Sequence, residues 1–365
     1  MQRFTIYEKN HIRTTNSFRQ ALKENIRMTI VFSETFLKHE QTPDHPESPQ
    51  RLVAVRESLR SAGLWKEVLE PREAKSEDLL RVHERVYLEF LEHAGNRALT
   101  MDTLLHPETF KIAKLAAGGG ILAAEKAWDD GKPAIALVRP PGHHAMPGNG
   151  MGFCYINNIA VAARSMLHRG GCKKVAIVDV DVHHGNGTQE AFYSSPDVLY
   201  ISTHQRYIFP GTGQINEVGE GDGEGFNVNI PMNSPAGDAS FEFAHKSIVL
   251  PILHEYCPDM LLVSIGTDSH YRDQLASLSL SSKGHAKEVS DLIDFAREKC
   301  SGRIAFFLEG GYDLDVLSEI VTYTVGLFEN KRTPLRFNDV EDRDCYEKRS
   351  LLSIMQMQKN YWKLG

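Results

Sequence analysis

The sequence predicts an α/β domain in which a mostly parallel sheet lies between layers of helices. Two observations carry this expectation. From Met28 onward, short apolar runs alternate with longer helical patterns, the order of elements that sandwiches a sheet between helices. Most of the runs are continuously apolar, which marks strands covered on both faces. At 365 residues length alone would suggest roughly two domains, but α/β proteins often run longer as one unit.

The expected strands are Thr29–Phe32, Ala134–Val138, Val175–Val180, Val198–Thr203, Phe226–Ile230, Leu261–Ile265 and Ile304–Glu309. Helical patterns fill the intervals. One opens with Ser48 as N-cap and Pro49 at the first helical position, carries Leu52, Val55 and Leu59 on one face, and stops near Gly63. A second follows Ser76 and carries Leu79, Leu80, Val86, Tyr87 and Phe90. A third runs from Pro107 through AAGGGILAAEKAW, where three glycines lower helix propensity and are read as permitting close packing. Further helical patterns cover 157–171, 240–256, 283–299 and 314–328. No internal repeat, low-complexity tract or linker interrupts them.

These patterns assign residues 28–330 to one folded domain and 331–365 to a charged, mixed tail that packs back on it. Residues 1–27 hold six Arg or Lys against two Glu and lack an apolar signal core. They are read as a flexible extension, with a weak organelle-targeting sequence as the alternative. The formal net charge of −7 argues against nucleic-acid binding by bulk charge. No apolar run of ~18 residues suggests a membrane span. Five cysteines without a CxxC pair suit reduced thiols in a cytoplasmic protein.

In a parallel sheet, ligands bind beyond the carboxyl ends of the strands. Five loops lie there, at 139–158, 181–187, 203–213, 266–275 and 310–313, and they hold the residues with chemical potential. Asp179, Asp181 and His183 are spaced i, i+2, i+4, so an extended chain would put all three on one side. Two oxygens and an imidazole suit a divalent metal such as zinc, with a further ligand from another loop, for which Asp268 is the candidate. A lone aspartate would more often cap a helix or bind loop amides. His143 and His144 follow two prolines and a glycine, so a rigidly held pair could act as general base and electrostatic partner. His183 and His184 would point to opposite faces, which makes His184 structural. The Tyr312 hydroxyl could polarise a carbonyl, although a packing tyrosine is the commoner reading. Phe153 and Phe209 could wall a narrow apolar slot.

The motifs RPPGHHA (139–145), GFCYINNIAVAA (152–163), VDVDVHHGNGTQ (178–189), ISTHQ with FPGTG (201–213), LEGGY (308–312) and HPESPQRL (45–52) resemble the histone deacetylase superfamily. That superfamily includes acetylpolyamine amidohydrolases and acetoin-utilisation proteins. The resemblance spans residues 29–328 and implies the arginase/deacetylase fold, with about eight mostly parallel strands. It implies Zn²⁺ on Asp181, His183 and Asp268, with Fe²⁺ as the alternative ion. It implies His144 as the proton-transfer residue, His143 as its partner, Asp179 behind His143, Asn186 behind His144, and Tyr312 on the amide oxygen. Gly152, Phe153 and Phe209 would line an acyl-lysine tunnel with Leu275 at its edge, and Arg51 would border an inner channel for acetate. Groups near Asp179, His183, Phe192 and Ser202 resemble the family's structural K⁺ sites.

Asn186 stands where some members carry aspartate, and LEGGY replaces an all-glycine run, which resembles the class II-type branch. Thr267 and Gln274 depart from the commoner loop, and Leu275 is apolar, which favours acyl-lysine over a cationic polyamine. Asp102 could still supply a rim carboxylate. The implied function is a zinc-dependent amidohydrolase acting on ε-N-acyl-lysine of proteins or peptides. An acylpolyamine or other small-amide deacetylase is the nearest alternative. A two-metal ureohydrolase is disfavoured by Asn186 and Ser269, where acids would be needed. A non-catalytic acyl-lysine reader is disfavoured because no ligand is missing and Tyr312 is present. The sequence does not set the oligomeric state.

Overall fold

The computed structural model describes residues 27–340, 345 and 347–365. The extension expected at 1–27 lies outside the described residues except for Arg27. An eight-stranded parallel sheet forms the centre. In chain order its strands are β1 (Thr29–Val31), β2 (Val68–Leu69), β5 (Ala134–Ala136), β6 (Val175–Asp179), β7 (Val198–Gln205), β8 (Asn227–Met232), β9 (Met260–Ile265) and β10 (Ile304–Leu308). Their spatial order is β2-β1-β5-β10-β9-β6-β7-β8. A separate antiparallel hairpin, β3 (Arg97–Thr100) with β4 (Thr103–Leu105), was not legible from the apolar runs. Every residue of β5, β6, β9 and β10 is buried. Strands shielded on both faces need apolar side chains throughout, which is why these runs do not alternate.

Helices cover the sheet. Helix α1 (Gln50–Ser61) begins one residue later than expected, with Pro49 as its cap, and buries Leu52, Val55 and Leu59. The helix expected after Ser76 is two: α2 (Ser76–Leu79) and α3 (Arg85–His93). Helix α3 buries Tyr87, Leu88 and Leu91, whereas Val86 is 75% exposed and Phe90 lies at the surface under Arg97. The break re-aims the face, so the two halves do not share one stripe. Helix α4 (Thr109–Asp129) crosses the sheet with Gly118 against the backbone of Arg72 and Ala74, an approach that a Cβ would block. Helix α5 (Asn158–Arg169) is capped by the Asn157 side chain, and the short α6 is Asn186–Phe192.

The helix expected over 240–256 contains a wide turn. Helix α7 (Asp238–Ala244) passes into a π-helical turn, His245–Val249, and then into α8 (Leu250–Tyr256). Pro251 has no N–H to return to the preceding turn, which suits a local change of winding. Helices α9 (Ser282–Lys299) and α10 (Leu314–Gly326) complete the layers. The charged segment after Asn330 contains α11 (Lys348–Gln358), which buries Leu351 and Ile354. Beyond it, Trp362 donates its indole N–H to Gly225 O at 2.9 Å. None of the five cysteines is bridged. Among the described residues no helix is long and apolar enough to cross a membrane.

One buried ion network anchors the loop after β5. Glu47 accepts from Arg139 Nε at 2.5 Å and Nη2 at 2.9 Å, and Arg51 Nη1 is 3.3 Å away. All three side chains are buried. Burial opposes the Glu47 charge, but Arg139 and Arg51 outweigh it and lower its pKa from 4.5 to about 2. Glu47→Gln leaves two guanidiniums short of a counter-charge and is expected to destabilise the fold by about 3–5 kcal/mol in urea unfolding at pH 7. Because the folded pKa lies below the unfolded one, that contribution is complete above about pH 4.5. It fades as pH falls towards 2, so the gap between the two proteins closes there.

Candidate active site and metal centre

The site lies at the carboxyl ends of β5, β10, β9, β6 and β7, five strands adjacent in the sheet. The chain leaves the extended conformation after Asp179, where β6 ends. The expectation that Asp179, Asp181 and His183 share one side is therefore corrected. Val180 N–H pairs with Ser264 O, and Val182 N–H donates to Asp268 Oδ1 at 3.0 Å. This turn sends Asp179 towards His143 and Tyr200, while Asp181 and His183 face Asp268.

Asp181, His183 and Asp268 each present one donor atom, and these atoms lie within 4.8 Å of one another. His183 Nδ1 is 3.3 Å from both Asp181 Oδ1 and Asp268 Oδ2. Asp268 Oδ2 is buried, and despite that proximity it makes no hydrogen bond. Burial opposes charge on His183, but the two carboxylates outweigh it and hold its pKa up to about 10. Burial also raises Asp268, as does the charge of Asp181. Two buried acids and an imidazole that holds a proton only against burial form a donor set that fits a divalent cation. Gly310 N–H donates to Asp181 Oδ2 at 2.8 Å, and a side chain at Gly310 would collide with both carboxylates.

His143 and His144 project from the loop after β5, their rings 4.0 Å apart. His143 Nδ1 meets Asp179 Oδ2 at 3.1 Å, and His144 Nδ1 meets Asn186 Oδ1 at 2.8 Å. Asn186 Nδ2 faces Met151 Sδ, which orients its oxygen towards His144. In the tautomer assigned from this network, His144 carries its proton on Nδ1 and keeps a lone pair on Nε2. The two imidazoles are driven apart in acidity. Burial depresses His143, but Asp179, Asp181 and Glu309 outweigh it and raise it to about 10. Burial, then the positive charges of His143 and His183, hold His144 well below the ordinary histidine value. A cationic and a neutral histidine side by side make an acid and base pair.

Tyr312 is carried on the turn after β10. Gly311 has φ of 113°, a conformation that favours glycine, and a side chain there would strike Thr267. Arg51 is buried behind this turn. Its Nε donates to Gly311 O at 2.8 Å, its Nη2 to Glu309 O at 2.5 Å, and its guanidinium lies 5.1 Å from the Tyr312 ring centroid. Asp273 accepts Tyr312 N–H at 2.7 Å and Leu275 N–H at 3.0 Å, tying the Leu275 loop to the same turn. Burial keeps the Tyr312 phenol well above its usual pKa, so it is a neutral donor.

Aromatic rings flank the site. Phe209 packs edge-on to His144 at 5.0 Å and to His183 at 6.3 Å. Phe153 faces Tyr312 at 6.1 Å and His45 at 4.5 Å. Gly152 lies between, where a Cβ would press on His144 and Phe209. Leu275 is 38% exposed at the rim. Asp102 is exposed on the hairpin turn, its carboxylate held by the Thr100 and Thr103 hydroxyls. His184 is turned away and bonded to Thr212 and Gln189. Asp179 and Ser202 are register partners, and Ser202 Oγ pairs with His204 Nδ1. Phe192, by contrast, ends α6 with its ring against Arg164.

Sequence reasoning missed Glu309 as a site residue. It is fully buried and accepts from Gly142 N–H at 2.7 Å and His143 N–H at 3.1 Å. Burial raises it to about 7 against the pull of His143. The signal was present: a carboxylate closing the apolar run IAFFLE, as Asp179 closes VAIVD.

Comparison with known proteins places the chain in a family. The histone deacetylase domain family model matches residues 45–328. A probable deacetylase of Archaeoglobus fulgidus is 42% identical over 293 residues, 78% of this chain and 81% of the relative. A chloroplastic histone deacetylase 10 of Oryza sativa subsp. japonica is 40% identical over 319 residues, 81% of this chain and 72% of the relative. The crystal structure of the HDA15 HD domain superposes with a TM-score of 0.84 at 34% identity, covering 93% of this chain and 96% of that one. The family model, the relatives and the structural match agree, and the chain belongs to the histone deacetylase family.

Proposed function

We propose that this deacetylase-family protein is a zinc-dependent hydrolase that removes acyl groups, acetyl first among them, from ε-N-acyl-lysine in proteins or peptides. The observation that carries the reading is the convergence of a neutral His144, with its free Nε2, on the Asp181–His183–Asp268 group. Zinc held by those three residues would supply Lewis acidity, lowering the pKa of a bound water and polarising the acyl carbonyl. His144 Nε2 accepts the water proton, and the His143 cation beside it balances the developing negative charge. The Tyr312 hydroxyl donates to the oxyanion. The amine departs with a proton from the histidine pair. Phe153 and Phe209 exclude water from an extended acyl-lysine chain, and Gly152 leaves room for it. Arg51 borders the inner side, the route assigned to the departing acetate. The strand-end groups around Asp179, His183 and Ser202, and separately Phe192, are assigned to structural K⁺. The catalytic unit is assigned to 28–330, with 331–365 as a tail on it.

Tyr312→Phe is expected to lower kcat by roughly 10²–10³-fold with metal content unchanged, since it removes one oxyanion donor. The function itself is tested by turnover of acetyl-lysine peptides and acetylated polyamines, with metal analysis of the same sample. Preference for the peptides supports the proposal. Hydrolysis of the polyamines alone moves the assignment to a small-amide deacetylase. Tight binding of acyl-lysine without turnover by metal-loaded protein would make it a reader.

A further inference from the structure

Glu309 is a buried carboxylate that no step of the proposed reaction consumes. One of its oxygens, Oε2, takes two successive backbone N–H groups, from Gly142 at 2.7 Å and His143 at 3.1 Å. The other, Oε1, receives the Ser264 hydroxyl at 3.3 Å. Its own carbonyl is clamped by Arg51, and the N–H of the next residue, Gly310, holds Asp181 Oδ2. A single two-residue unit at the end of β10 therefore touches the histidine loop, the metal-ligand group and the Tyr312 turn. The adjacent N–H donors fix the backbone that leads into the two histidines, whose rings turn towards Asp179 and Asn186, while His143 O is held by Thr188 N–H.

We propose that Glu309 is the positioning residue of the histidine pair, anchoring the Gly142–His143 backbone so that His144 Nε2 is held over the Asp181–His183–Asp268 group. Without the carboxylate, two buried N–H groups lose their acceptor, and the loop relaxes to regain one. A displacement of about 1 Å is enough to cost about 10²-fold in rate.

The kinetic arm rests on the hydrolytic reading, and a structural arm does not. Glu309→Ala is expected to lower kcat about 10–100-fold with KM within about twofold and metal content unchanged. Glu309→Gln can present its Oε1 to both N–H groups and its amide N–H to Ser264 Oγ. It is expected to recover kcat to within about threefold of wild type. Crystal structures of both variants should show the His144–Asn186 and His143–Asp179 contacts broken in the alanine variant and kept in the glutamine variant. If the alanine variant does not fold, Glu309→Asp, whose arm is too short to span both donors, takes its place. Wild-type kcat in the shortened variant, or an undisplaced histidine pair in its crystals, overturns the inference. Equal loss of kcat, KM and metal in the alanine and glutamine variants also overturns it, since that is a general structural defect. A wild-type protein without turnover would remove the proposed function, while the crystals would still decide the positioning role.

Discussion

Replacing His144 with alanine is expected to lower kcat by roughly 10²–10⁴-fold, the range for losing a positioned general base. KM and metal content should change little, because His144 is not one of the three candidate metal ligands. The effect is large because His143 cannot take its place. His143 is held as a cation by Asp179, Asp181 and Glu309 despite burial, so it has no lone pair to offer near neutral pH. His144 is kept neutral, with its proton on the nitrogen that faces Asn186. Steady-state kinetics on an acetyl-lysine peptide, with metal analysis of the variant, decide the matter. Turnover near wild type would remove His144 from the role of base.

Asp268→Ala is expected to abolish activity and to weaken metal binding by at least about two orders of magnitude. The substitution leaves Asp181 and His183, too few to hold a divalent ion tightly at a site that must keep a position open. It also removes one of the two carboxylates that hold the His183 proton, although burial opposes that proton throughout. A divalent ion that takes His183 as a ligand would have to displace that proton, because His183 without metal is raised to about 10. Calorimetric titration of zinc into metal-free protein at pH 7, in buffers of different ionisation enthalpy, should therefore register proton release. A variant that keeps one equivalent of metal and full turnover would show that Asp268 is not a ligand.

Much of the fold was legible because the strands are buried on both faces. Runs such as VAIVD and IAFFL are uniformly apolar for that reason, and each carries a carboxylate at or just beyond its end. The short strand Val68–Leu69 and the hairpin of β3 and β4 escaped because they are partly exposed and too short to show a period. The break between α2 and α3 escaped because Leu79, Leu80, Val86 and Phe90 fit a helical spacing that the turn between them abolishes. Helix α11 was hidden by its charged surroundings, although Leu351, Ile354 and Met355 are buried. In the site, Glu309 was passed over because its partners are backbone amides more than 160 residues away.

By itself, the sequence determined the parallel α/β architecture, the central buried strands and the loops at their ends that hold the candidate site residues. The strands and loops follow from local side-chain periodicity and from the rarity of charge beside a buried strand, and the roles of the candidate residues from the family resemblance. Only the tertiary structure decided that β5, β10, β9, β6 and β7 lie side by side, although their chain order is different. It showed the turn that sends Asp179 to His143 and away from Asp181 and His183, and it brought Glu309 beneath the histidine pair. Strand order is set by which apolar faces pack together across long stretches of chain, and no local pattern encodes that choice.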